Sequence, residues 1–289
     1  MDFKNGAELL AICKEQGWPI SRVMRQREEQ MTETPSHILD ERMAKALSIM
    51  RSAATTPIHA PKPSMSGLIG GEAQKLSRHL EQGLSICGPV LSRAVTYAMA
   101  VLEVNGSMGL IVAAPTAGSS GVVPGVLLAL QESFGLSDEA LLQALYNAGA
   151  IGYLAMRNAT VAGAVGGCQA EVGVASSMAA SAATELMGGT PEQCLSAAST
   201  ALMNLLGLVC DPVGGLVEYP CQDRNAIGAA NALTCAELAL SGIRQLIPFD
   251  EMLDTMVRVG RQLPPALRET AMGGCAVAPS AKACAGCHG

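Results

Sequence analysis

Residues 104–131 contain no charged side chain. A stretch that long either crosses a bilayer, which takes about 20 apolar residues, or lies inside a protein. Pro115, Pro124 and the glycines at 106, 109, 118, 121 and 125 interrupt it, and Ser and Thr are scattered through it. No aromatic belt and no cluster of positive charge flanks it, as a membrane span would require. The stretch therefore reads as helix and loop buried in a core of low charge. The composition fits that reading, with hydrophobic residues at 49%, charged residues at 15% and aromatics at 3%. Such a core is built from Ala, Leu, Met and small aliphatics, which favour helix. Few segments alternate β-branched and polar residues as strands do. The expected fold is all-α, a helical domain whose buried Gly/Pro-rich loops form the site.

Local signals place several helices. AELLAICKEQ at 7–16 is amphipathic and stops at Gly17. Thr34 as N-cap and Pro35 at N1 open a second helix that runs through DERMAKALSIMRSA. The segment 56–73, TPIHAPKPSMSGLIGGEA, reads as a structured loop. From 72 onward helices alternate with glycine-rich loops. Ser137 caps DEALLQALYNAGAIGYLAMR, with Asp138 and Glu139 at the positive helix end. Residues 172–189, VGVASSMAASAATELMGG, are apolar on nearly all sides and predict a buried helix. Thr190, Pro191 and Gln193 form a capping box for a helix expected to run straight into Cys210. Two last helices are expected near 249–262 and 264–272. The organisation is a helical lead-in over 1–60, a main domain over 61–274 and a cysteine-containing tail over 275–289.

The net charge of −6, without a basic run, argues against nucleic-acid binding. The N-terminus carries acidic residues early and lacks an apolar signal segment. A cytoplasmic chain with ten cysteines points to metal binding or thiol chemistry rather than disulfides. Cys13, Cys87, Cys194 and Cys235 read as buried packing residues. Other chemistries have little support. Lys62 is the one lysine in a glycine-rich loop, His59 stands just before it, and no HExxH, GxSxG or GxxxxGK[ST] motif occurs.

Three cysteines stand apart. Cys168 lies in AVGGCQAEVG, Cys210 in LLGLVCDPVGG and Cys221 in VEYPCQDRN, each beside Gly or Pro. The gaps of 42 and 11 residues are not those of a zinc site, which uses close CxxC pairs. Spacing alone leaves two readings open: plain burial, or an iron–sulfur cluster held by thiolates from separate loops. Three thiolates on a four-iron cluster leave one iron free to act as a Lewis acid. The apolar glycine-rich loops also need partners for their buried backbone groups, and a bound ligand can supply them.

The set KPSMSGLIGGEA, AAPTAGSSGVVPG, GGCQAEVGVASS and CDPVGGLVEYPCQDRNAIGAANA resembles the iron–sulfur L-serine dehydratase family, specifically the α chain of its two-chain form. The resemblance covers roughly residues 60–275. It implies conversion of L-serine to pyruvate and ammonia, a [4Fe–4S] cofactor and ligation by Cys168, Cys210 and Cys221. It implies that Ser64, Ser66 and Gly67, with Thr116, Ala117 and Gly118, bind the carboxylate and amine of serine. Some relatives carry Asn where this chain has Ala117. Arg224 and Asn225 are expected to support the cluster loop or counter its charge. An SSSHT-type segment found in single-chain relatives is absent here, which implies a separate β chain; an oligomer is expected. Some relatives end in a cysteine that reaches the open iron, a part that Cys284 or Cys287 would play here. The resemblance names no catalytic base. It leaves two alternatives, a lyase acting on L-cysteine and a non-catalytic redox sensor.

Overall fold

The computed structural model describes residues 1–284 and contains no sheet among them. Its helices are α1 (Gly6–Gln16), α2 (Ile20–Thr32), α3 (Ser36–His59), α4 (Glu72–Glu81), α5 (Gly88–Gly106), α6 (Val122–Phe134) and α7 (Asp138–Asn158). They continue with α8 (Gly163–Gly166), α9 (Val174–Leu186), α10 (Pro191–Asn204), α11 (Cys221–Leu240), α12 (Phe249–Gln262) and α13 (Pro279–Lys282). Helix α9 is the centre of the bundle. Every residue from Val174 to Thr184 is buried, and α6, α7, α10 and α11 pack around it. Its Ala and Ser side chains let these neighbours approach closely. The serine hydroxyls, which cannot stay unpaired in a core, donate outward to the neighbours. Ser176 Oγ donates to the Gly228 carbonyl at 2.9 Å, and Ser181 Oγ donates to Asn147 Oδ1 at 2.6 Å.

The charge-free stretch is the end of α5, a loop and a buried α6. Its glycines are there for contact. A Cβ on Gly121 would lie 2.2 Å from the Ala98 carbonyl oxygen, and one on Gly125 would lie 2.7 Å from that of Ala94. So α6 rides directly on the backbone of α5. At the other end of the molecule, Asp250 reaches back to the start of α1, accepting from Gly6 N at 2.7 Å. Arg25 of α2 clamps Asp40 of α3 through two hydrogen bonds, 2.8 and 2.5 Å long. Among the described residues no helix is long and apolar enough to cross a membrane.

Several local expectations hold. Gly17 ends α1 in the left-handed conformation, Ser137 Oγ accepts from Ala140 N, and the Thr190 capping box is complete. Others shift. Helix α3 begins at Ser36 with Pro35 as its N-cap, because the Thr34 hydroxyl turns back to the Thr32 carbonyl. It also runs on to His59 with Pro57 inside, so the loop begins at 60 rather than 56. Helix α10 stops at Asn204, since Gly207 takes a left-handed turn (φ +81°) and donates its amide to Gln169 Oε1. Beyond it Cys210 pairs with Arg268 in an isolated parallel bridge. Segment 264–272 holds only a 3-10 turn, Pro265–Leu267. Cys13, Cys194 and Cys235 are buried as expected, but Cys87 is exposed at the N-cap of α5.

Candidate active site

Three loops meet where the buried helices end. The first, residues 60–71, is held by α5. Glu103, 1% exposed, accepts from Gly71 N at 2.9 Å and from Ala73 N at 2.8 Å. Burial raises its pKa, and those two amides pull it down less strongly. The second, residues 113–121, enters α6 and contains Thr116 as the N-cap of a 3-10 turn, Ala117–Ser119. The third is the segment Cys210–Cys221, which joins the other two. Glu218, 2% exposed, accepts from Ser64 Oγ at 2.5 Å, from Ser66 Oγ, and from Ser66 N at 3.1 Å. Val217 beside it lies against the second loop, 3.5 Å from where a Cβ on Gly118 would sit. One run of sequence thus carries two of the singled-out cysteines and touches both hydroxyl loops.

The cysteines come from three kinds of local structure. Cys168 starts a π-turn, Gln169–Gly173, that leads into α9; Cys221 is the first residue of α11; Cys210 sits in the bridge with Arg268. Cys168 and Cys210 are 4% and 5% exposed, and Cys221 is partly buried. They lie near enough to feel one another. Cys221 is pushed up to about 12 by burial first, then by Cys168 and Glu171. Cys168 is likewise pushed up to about 12 by burial and by Glu171, with Arg224 opposing. Cys210 is raised further, by burial, Glu171 and the other two thiols.

Arg224 and Asn225 fix this arrangement. Arg224 Nη1 donates to the Val209 carbonyl at 2.7 Å, and Nη2 pairs with Asp211 Oδ1 at 2.7 Å, outside hydrogen-bond alignment. Asn225 is fully buried. It accepts from Gly121 N at 3.0 Å and donates to the Gly118 and Cys221 carbonyls, both at 2.8 Å. It therefore ties Cys221 to the Thr116 loop. Gln169 performs a similar task for Cys168, donating to Gly166 and Met256 and accepting from Gly207 N.

Four residues of the site were not singled out from sequence: Glu171, Glu218, Asp211 and Gln169. Glu171 accepts from Thr116 Oγ1 at 2.9 Å and from Cys210 Sγ at 3.6 Å. Its pKa is raised, chiefly by burial. Glu171, Glu218 and Asp211 shared one legible signal, an acidic residue standing alone in an apolar glycine-rich run, where a charge is rarely buried without a partner. Of the tail cysteines, Cys275 is the one held here: its amide donates to Asp211 Oδ2 at 2.6 Å. Cys284 follows α13, and Cys287 lies outside the described residues.

The donor set suits a thiophilic centre. Two buried thiols and a partly buried one, all with raised pKa values, stay neutral at ordinary pH unless a metal takes the proton's place. Gly163 leaves a cradle beside them, since a Cβ there would lie 3.0 Å from Cys210 Sγ and 2.5 Å from Glu171 Oε2. Arg268, the partner of Cys210 in the bridge, has a buried Nε without a hydrogen-bond acceptor among the described residues. Among the described residues no three His, Cys, Asp or Glu side chains form a chelate for one ion. Thiols on separate loops are instead the disposition of cluster ligands, each of which binds a different iron.

Fold and site together define an all-α protein in which thiol-bearing and hydroxyl-bearing loops share one connecting segment. The chain belongs to the serine dehydratase alpha chain family, whose model matches residues 15–276. It is 47% identical over 280 residues to a probable L-serine dehydratase, alpha chain, of Bacillus subtilis, covering 97% of this chain and 93% of that one. It is 42% identical over 269 residues to the L-serine dehydratase, alpha chain, of Peptoniphilus asaccharolyticus, covering 93% and 92%. With L-serine dehydratase 1 of Escherichia coli it shares 36% identity over 287 residues, which is 95% of this chain but 62% of the longer relative.

Proposed function

We propose that this chain is the cluster-bearing subunit of an L-serine ammonia-lyase. L-serine loses its α-proton and β-hydroxyl as water, and the resulting aminoacrylate tautomerises and hydrolyses to pyruvate and ammonia. The observation that carries the reading is the segment Cys210–Cys221, which carries a buried and a partly buried thiol alongside the Ser64–Ser66 and Thr116–Gly118 loops. The alpha-chain relatives of nearly equal length support it.

Cys168, Cys210 and Cys221 would hold a [4Fe–4S] cluster. Its chemistry would be that of an open iron serving as Lewis acid for the departing hydroxyl. The protein's own residues do the rest. Ser64, Ser66 and Gly67 take the amino-acid head from one side, and Thr116, Ala117 and Gly118 from the other. Arg224 offsets the negative charge of the thiolates, and Asn225 keeps the two sides in register. Val217 packs against the Gly118 side of this space. A β chain completes the site, since the longer relatives extend well beyond the span that this chain covers. Cys168, Cys210 and Cys221 are free thiols rather than disulfide partners, which suits a reducing cytoplasm.

The test is pyruvate formation by the chain combined with its β partner under anaerobic conditions, with L-serine and L-cysteine compared. Pyruvate from L-serine in proportion to bound iron supports the reading. Faster turnover of L-cysteine would make the chain a desulfidase, and turnover without iron would end the cluster assignment.

A further inference from the structure

From Ser64 to Gly71 every backbone amide of the Ser64 loop already donates. Ser64 N donates to the Ile69 carbonyl, Met65 N to Gly106, and Gly67 N to Ser64. Ser66 N donates to Glu218, Leu68 N to Ser66 Oγ, Ile69 N to Ser64 Oγ, Gly70 N to Glu72 and Gly71 N to Glu103. The hydroxyl protons are spent as well, because Ser64 Oγ and Ser66 Oγ both donate to Glu218 Oε2. A hydroxyl has one proton and two lone pairs. Each serine oxygen has given its proton to Glu218 and used one lone pair on a loop amide. What remains on each is a single lone pair.

A serine substrate has a donor-only end, the ammonium, and an acceptor-only end, the carboxylate. The stretch Ser64–Gly71, without free donors, cannot itself bind a carboxylate. Two hydroxyl oxygens polarised by a buried carboxylate suit an ammonium well, since bonds to a charged group are the strong ones. We infer that Glu218 is a specificity-determining positioning residue that makes Ser64 and Ser66 an acceptor pair for the α-ammonium of the substrate. Glu218 acts through the two serines by fixing where their protons point. The carboxylate of the substrate then lies away from this loop. The inference rests on the lyase reading for the substrate's identity, but the polarity of the loop does not depend on turnover.

The consequence is discrimination by the α-substituent. L-alanine, which has the ammonium but no leaving group, binds this site, whereas L-lactate, which has a hydroxyl in its place, does not. The experiment uses calorimetric titration of the reconstituted two-chain enzyme with each compound, alongside inhibition of pyruvate formation from L-serine. In the wild-type enzyme alanine binds at least tenfold more tightly than lactate. Glu218→Gln offers an amide N–H to the serines and so turns a hydroxyl proton toward the substrate. It should weaken alanine about 10- to 100-fold, the range for a hydrogen bond to a charged group, and leave lactate unchanged or tighter. Ser66→Ala keeps Glu218 and its bond to Ser64, and should weaken alanine several-fold without affecting lactate. Equal loss of both compounds in both variants would make Glu218 merely structural and overturn the inference. So would a wild-type enzyme that binds lactate as well as alanine. Ammonium-selective binding with no pyruvate formed would uphold the acceptor pair and overturn the lyase reading instead.

Discussion

Removing the Asn225 side chain should weaken the whole molecule, and the structure sets the size of the effect. Asn225→Ala takes the only acceptor from the Gly121 amide and the side-chain donor from the Gly118 and Cys221 carbonyls. Asn225 itself is fully buried, so water does not readily replace its side chain against the Gly121 amide. The Cys221 carbonyl keeps its place at the start of α11, and its loss is small. An orphaned buried amide costs about 1–3 kcal/mol, and the second carbonyl and the vacated volume add to it. A total of about 3 kcal/mol is expected. For a chain of this size each kcal/mol lowers Tm by about 2–4 °C, which gives a fall of about 6–12 °C. The assay is thermal unfolding followed by far-UV circular dichroism. Asn225→Asp should do no better, since it keeps the acceptor for Gly121 but turns a carboxyl toward two carbonyls. Thr234→Ala, on the exposed face of the same helix, is the control and should stay within about 0.5 kcal/mol. A Tm for Asn225→Ala within about 2 °C of the wild type would refute the account of how Cys221 is tied to the Thr116 loop.

Gly163→Ala should retain its helices by circular dichroism but lose most of its bound iron on reconstitution, because the new methyl meets Glu171 and Cys210; undiminished iron content would contradict the cradle. Cys168→Ala, Cys210→Ala and Cys221→Ala should each lose the iron while Cys13→Ala keeps it, and equal retention in all four would contradict the ligand assignment. Asp40→Asn should cost about 1 kcal/mol at neutral pH, discounted for a pair that is one-third exposed. Arg25 holds the Asp40 carboxyl below its ordinary range, so this contribution is present above the unfolded value near 3.9 and lost as pH falls below it. Urea titrations of wild type and variant should therefore begin to converge as pH falls below about 4 and meet only once it is below the lowered value of Asp40 itself, and a difference that does not narrow with falling pH would refute the pairing.

Much of the fold was legible because it rests on local chemistry. Gly17, Ser137 and the Thr190 box act within one turn of their own helices, and their residues announce it. The buried α9 was legible for a similar reason, as a run without charge cannot present a polar face. What was hidden depends on partners far away in sequence. Nothing local says that α10 must stop at Asn204; the stop is tied to Gly207, whose amide is taken by Gln169, 38 residues earlier. Nothing near Pro57 says that the helix continues through it.

The site divides along the same line. The three thiols could be picked out because Cys beside Gly or Pro is conspicuous, whereas the hydroxyl loops came from the resemblance of their motifs to the serine dehydratase family. Most of their supporting residues could not be picked out, because their roles exist only across loops. Glu218 reaches Ser64 across 154 residues, and Glu171 reaches Thr116 across 55; Arg224 and Asn225 were expected beside the cluster loop, but not the reach of Asn225 to Gly118 across 107 residues. Cys275 was passed over in favour of later tail cysteines, since its link to the site is an amide bonded to Asp211 rather than its thiol.

The central claim is that the three cysteine loops and the two hydroxyl loops form one site. It is tested most directly by reconstituting the chain anaerobically with iron and sulfide, adding the β partner, and recording the visible spectrum before and after L-serine. The account predicts about four irons per chain, in keeping with a [4Fe–4S] cluster, and a spectrum that shifts with L-serine. Bound iron whose spectrum ignores L-serine while pyruvate is produced would show that the thiols and the substrate loops serve separate sites, and would contradict it.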